Sequence, residues 1–116
     1  MKEGLKIGIL GMGYVGLPLA IEFGKKTTTI GFDINKKRIA NLSRGNDETS
    51  ELTKKEISSS KNLSFSHDLK SLHECNFFII TVPTPIYKNN KPDLSLLKNA
   101  SKMVGGLLKK DRKSVV

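Results

Sequence analysis

Three glycines, Gly11, Gly13 and Gly16, and an acid about twenty residues further on, Asp33, are the residues of this 116-residue chain whose types and spacing point to chemistry. That chemistry is binding. Gly11 lets the chain turn sharply off a strand, through backbone angles that a Cβ forbids. Gly13 has no side chain, so a diphosphate can come close to the main chain, and Gly16 lets a helix pack tightly on the strand before it. The first N–H groups of such a helix have no internal partners and face the phosphates, with the helix dipole adding partial positive charge. Asp33 falls at the tip of a second strand, where a carboxylate accepts hydrogen bonds from a ribose diol and repels a 2′-phosphate. The cofactor expected is therefore NAD rather than NADP. A glycine turn that served only helix packing would account for Gly11 and Gly16, but not for Asp33.

These residues need elements to hold them. An apolar run from Leu5 to Leu10 predicts the first strand, and helical spacing from Tyr14 to Lys26 predicts a helix with Val15, Leu19, Ala20 and Phe23 facing inward. Thr28 to Phe32 is rich in β-branched residues and predicts the second strand. Asn35 is a candidate N-cap for a helix running to about Arg44, with Ile39 and Leu42 facing in. Residues 43–62 read as a polar crossover without a core face, holding a short exposed helix around Glu51, Lys54, Lys55 and Glu56. A short strand at Leu63–Phe65, a short helix at 69–74 and a nearly all-apolar central strand at Phe77–Val82 follow. A last helix carries Leu97, Ala100, Val104 and Leu107 or Leu108 on one face, weakened by Gly105-Gly106. Ser114-Val115-Val116 reads as the start of a fifth strand. The fold class expected is α/β, a Rossmann-type doubly wound parallel sheet truncated at the start of that strand. The unfinished edge invites pairing with a second copy, a homo-oligomer, or aggregation.

Two further stretches belong to the same reading. Ligands of open α/β sheets bind beyond the carboxyl ends of the strands, where the strand order reverses. Thr81-Val82-Pro83-Thr84-Pro85 leaves the fourth strand there and should border the nicotinamide half of the cofactor. Its prolines fix φ and stiffen the loop, and Thr84 offers a hydroxyl. A rigid strand exit with no ligand is the plainer alternative. Arg38, in the first turn of the second helix, could reach over an adenine or its ribose; an ordinary exposed arginine is the plainer reading there.

Composition narrows the rest. One small domain is the limit at this length. Twenty Lys and Arg against eleven Asp and Glu give a net charge of +9. Scattered lysine pairs and the lack of any RNP-like or zinc-finger pattern speak for a solvated surface with some pull on anionic ligands, not for nucleic acid. Cys75 is the only cysteine, so no intrachain disulfide forms and a reducing cytoplasm is the natural setting. It reads as a small buried hydrophobe. His67 and His73 are too isolated to hold a metal, and no metal is expected. Apolar runs are too short to span a membrane, and the first strand begins too early to leave room for a signal peptide.

With those residues in view, Gly11-Met12-Gly13-Tyr14-Val15-Gly16-Leu17-Pro18-Leu19-Ala20 resembles the N-terminal run of the UDP-glucose/GDP-mannose dehydrogenase family. Within it, Thr81-Val82-Pro83-Thr84-Pro85 is most similar to the UDP-N-acetylhexosamine 6-dehydrogenases, which make uronic-acid sugar nucleotides for bacterial surface polysaccharides. The resemblance implies that residues 1–116 are an NAD-binding domain. Tyr14 and Val15 would present amides to the diphosphate, Asp33 would hold the adenine-side ribose, Arg38 would lie near the adenosine and Thr84 near the nicotinamide ribose. The family oxidises a C6 hydroxymethyl group to a carboxylate with two NAD, through an aldehyde captured by a cysteine as a thioester. That nucleophile, its supporting groups and the sugar-nucleotide domain would lie beyond Val116, and Cys75 does not match the nucleophile. No catalytic residue is therefore expected here: the chain should bind NAD without turning over the nucleotide sugar. The rival expectation is a stand-alone NAD-binding or regulatory module without enzyme activity. A 6-phosphogluconate or 3-hydroxyacyl-CoA type of entry domain fits the Tyr14–Pro18 run less well.

Overall fold

The computed structural model describes residues 4–47, 53–82, 94–107 and 114–115. Five parallel strands form one sheet: β1 (Lys6–Leu10), β2 (Thr28–Phe32), β3 (Leu63–Ser66), β4 (Phe77–Ile80) and β5 (Ser114–Val115), in the order β3-β2-β1-β4-β5. The order reverses between β1 and β4, as a doubly wound sheet requires. Helices α1 (Gly16–Gly24), α2 (Lys36–Ser43), α3 (Lys54–Ser58) and α4 (Ser95–Leu107) surround it, with a 3-10 helix at Leu69–Glu74.

Two apolar cores lie on opposite faces of the sheet. Ile7 and Ile9 of β1 pack with Leu17, Ala20 and Ile21 of α1, Ile39 and Leu42 of α2 and Ile57 of α3. Leu10, Phe32 and Phe78 pack with Leu72, Cys75, Ala100 and Val104 on the other side. The side chains of β1 alternate between the two, as the twofold period of a strand dictates. Cys75 is the buried small hydrophobe its surroundings suggested, 1% exposed.

Register does the positioning. Leu10 lies opposite Phe32 on one side and Ile80 on the other. The next residue of each strand, Gly11, Asp33 and Thr81, therefore leaves the sheet at one level along its carboxyl edge. Asn35 caps α2 by accepting from the Arg38 amide at 3.1 Å.

Two expectations need correction. Helix α1 begins at Gly16, so Val15 lies outside it and is 62% exposed, and Phe23 is at the surface. The buried stripe is Gly16, Leu17, Ala20, Ile21 and Gly24. It runs through the glycines because the helix approaches too closely for a side chain there: a Cβ on Gly16 would run into the Gly11 carbonyl, and one on Gly24 would lie 2.6 Å from the Leu63 Cβ. A count of apolar residues skips glycine and so rotates the face. The polar stretch 43–62 also has a core contact, because Ile57 is buried and joins the β1 core. Its helix α3 is held by a full capping box between Thr53 and Glu56.

Candidate cofactor-binding site

The glycine turn is tied by hydrogen bonds to β2, α2 and the exit of β4, with one space beside it left open. The Gly11 N–H donates to the Phe32 carbonyl at 2.7 Å, and its φ of 104° is one that L side chains rarely adopt. The Met12 N–H donates to Asp33 Oδ2 at 2.9 Å, and the Met12 carbonyl accepts from Arg38 Nε at 2.8 Å. The Thr81 hydroxyl lies 3.0 Å from the Leu10 carbonyl and 2.8 Å from the Gly11 carbonyl, tying the exit of β4 to the turn.

Gly13 stands apart from its neighbours. Gly11 is required by its backbone angle, with the Thr81 carbonyl oxygen 2.9 Å from where its Cβ would sit, and Gly16 is required by packing. A Cβ on Gly13 would meet nothing within 4 Å, and Gly13 is not among the positive-φ glycines. Neither packing nor backbone conformation calls for a glycine here, and the space beside it is open. Among the described residues, the amides of Gly13, Tyr14, Val15 and Gly16 find no acceptor. They are the unpaired donors of a helix start. The side chains of Tyr14 and Val15 are exposed, leaving their main chain accessible.

Asp33 Oδ1 accepts from the Asn35 amide at 3.0 Å while Oδ2 holds Met12. Each carboxylate oxygen keeps a lone pair for a ribose hydroxyl. Beside Asp33 opens a cavity of about 290 Å³, lined by Leu10, Gly11, Phe32, Asp33, Ile34, Val82, Asn99, Ala100 and Met103. Its walls are mostly apolar, and Asp33 and Asn99 are its polar side chains, a composition suited to the flat face of a base. A larger cavity, about 520 Å³, opens between α2, α3 and β3 beside Arg44 and Lys54, away from the glycine turn. Of these two the smaller is the better candidate, because it touches the residues at the carboxyl edge where β1, β2 and β4 end.

Most of the expected site comes together. Gly11, Met12, Gly13, Tyr14, Val15 and Gly16 form one turn, and Thr81 braces it from behind; Val82, expected at the nicotinamide half, instead lines the cavity beside Asp33. Arg38 is not an ordinary exposed arginine. It is buried beneath the turn, with Nη1 2.8 Å from Asp47 Oδ1, and among the described residues its buried Nη2 has no hydrogen-bond partner. Pro83 and Thr84 lie outside the described residues. Sequence reasoning missed Ile34, Asn99 and Met103 as cavity walls, and Asp47. For α4 a signal existed: Asn99 and Met103 are four apart and adjoin the buried pair Ala100 and Val104, on the flank that turns toward the strand ends. Among the described residues no group of three His, Cys, Asp or Glu gathers as metal ligands, and no helix is long and apolar enough to cross a membrane.

These features fit an NAD molecule: an open glycine for the diphosphate, unpaired amides facing it, a carboxylate for the ribose and an apolar slot for the base. Known proteins agree. The model of the UDP-glucose/GDP-mannose dehydrogenase family, NAD binding domain, matches residues 5–116. The UDP-N-acetyl-D-glucosamine 6-dehydrogenase of Pseudomonas aeruginosa is 53% identical over 110 residues, 95% of this chain and 26% of that protein. The enzyme of the same name from Salmonella typhi is 51% identical over 90% of this chain and 24% of its own length. The structure of a UDP-D-ManNAc dehydrogenase from Pyrococcus horikoshii superposes with a TM-score of 0.84 and 31% identity, covering 96% of this chain and 28% of that one. This chain thus spans about a quarter of the length of these relatives. Matched over 5–116, it belongs to the UDP-glucose/GDP-mannose dehydrogenase family and is an NAD-binding domain of that family.

Proposed function

We propose that this chain holds NAD with its diphosphate on the amides of Gly13, Tyr14, Val15 and Gly16 and its adenine-side ribose on Asp33. The base would lie in the cavity between Ile34, Val82 and Met103. Arg38 would act from beneath the turn, through its hydrogen bond to the Met12 carbonyl and without touching the adenosine, and Thr81, Pro83 and Thr84 would border the nicotinamide half. The observation that carries the reading is the vacant space at Gly13, a glycine that the fold itself does not need. Bound NAD supplies a hydride acceptor. The chain's own residues bind it, orient it and, through the Asp33 carboxylate, turn away a 2′-phosphate.

The whole protein would then oxidise the C6 hydroxymethyl group of a UDP-N-acetylhexosamine to the uronate, in the cytoplasm, with this chain contributing the cofactor site. What supports the substrate class is the two bacterial relatives at 53% and 51% identity, both UDP-N-acetyl-D-glucosamine 6-dehydrogenases. Paired calorimetric titrations with NAD and NADP test the cofactor reading: saturable binding of NAD with much weaker NADP is expected. Equal affinity for the two would remove the role given to Asp33.

A further inference from the structure

Asp47 follows α2 and lies outside both the glycine turn and the cavity beside it. Its side chain is nevertheless fully buried and pairs with Arg38, whose side chain is 9% exposed, at 2.8 Å. The same guanidinium donates from Nε to the Met12 carbonyl at 2.8 Å. One planar group thus bridges the segment after α2 and the peptide that joins Met12 to Gly13. A peptide is planar and trans, so its C=O and N–H point in opposite directions. Aiming the Met12 carbonyl down at Arg38 aims the Gly13 N–H up, toward the open space where the diphosphate is placed. The Met12 N–H is fixed in turn on Asp33.

Stability alone does not account for this pair. Burying two charges costs so much solvation that well-packed apolar residues of similar volume commonly serve the fold as well or better. What apolar residues could not do is hold a guanidinium fork at a set angle against a carbonyl. We propose that Asp47 is a positioning residue for the diphosphate of NAD: it holds Arg38 so that Arg38 grips the Met12 carbonyl and the Gly13 N–H faces the ligand. This rests on the NAD reading above.

The test compares NAD with adenosine, which lacks the diphosphate, on the wild-type protein and on Asp47→Ala, by calorimetry for NAD, ligand-observed NMR for adenosine, and thermal melting for each protein. The expected result is a loss of NAD affinity of about tenfold or more, the worth of one charge-assisted hydrogen bond, with adenosine affinity unchanged. If Asp47→Ala does not fold, Asp47→Asn carries the test. It keeps an oxygen for Nη1 without the charge, about half the bond strength, so NAD affinity should fall about threefold, again with adenosine unaffected. Unchanged NAD affinity in a folded variant overturns the inference and leaves the cofactor reading standing. Equal losses for both ligands also overturn it, by showing a general loosening. Wild-type protein that does not bind NAD overturns both.

Discussion

Gly13→Ala should separate folding from binding with opposite signs. An added Cβ meets nothing within 4 Å, and the φ of Gly13 lies outside the left-handed region. The native state therefore takes the methyl group without strain, while the unfolded chain loses freedom, which stabilises the fold by about 0.4–1 kcal/mol. For a domain of this size that raises Tm by roughly 2–5 °C. The same methyl stands where the diphosphate must approach. Losing one amide-to-phosphate hydrogen bond costs about 1.5–3 kcal/mol, a drop in NAD affinity of roughly tenfold to a hundredfold. Gly13→Val, with a larger and branched side chain, should bind still more weakly. Scanning fluorimetry and isothermal calorimetry on the same samples read both effects. A variant that melts well below wild type would show that the space at Gly13 is not open, and one that binds NAD normally would show that no phosphate lies there.

Three other substitutions follow from the same geometry. Gly16→Ala should destabilise by about 1–3 kcal/mol or more, seen in urea melts, because its Cβ runs into the Gly11 carbonyl and the Thr81 hydroxyl. Asp33→Ala should weaken NAD by roughly 1.5–3 kcal/mol and narrow the gap between NAD and NADP; a folded variant with wild-type selectivity would contradict the ribose role. Thr53→Ala removes the side-chain oxygen of the α3 capping box and should cost about 1 kcal/mol in chemical denaturation while leaving NAD affinity alone.

The parts of the site that could be read from the sequence were those fixed by local backbone needs. Gly11, Gly13, Gly16 and Asp33 sit at the ends of strands that apolar runs announce, and parallel register then brings 11, 33 and 81 to one edge without further instruction. The doubly wound parallel fold class followed from the same alternation of strands and helices. What stayed hidden depends on distance in the chain. Arg38 looks like any helix-surface arginine until Asp47 and Met12 close around it, and neither lies at a spacing that a helix or strand would mark. The face of α1 was misjudged because glycines made the contact. The cavity wall at Asn99 and Met103 needs the position of α4 over the sheet, which only the packed core sets.

An amide-resolved NMR titration of isotope-labelled protein with NAD shows directly whether NAD lies on the glycine turn. Saturable shifts concentrated at Gly11 to Gly16, Asp33, Ile34 and Val82 are expected. Shifts centred instead on Arg44, Lys54 and Ser64, around the larger cavity, or no shifts at saturating NAD, would contradict that placement.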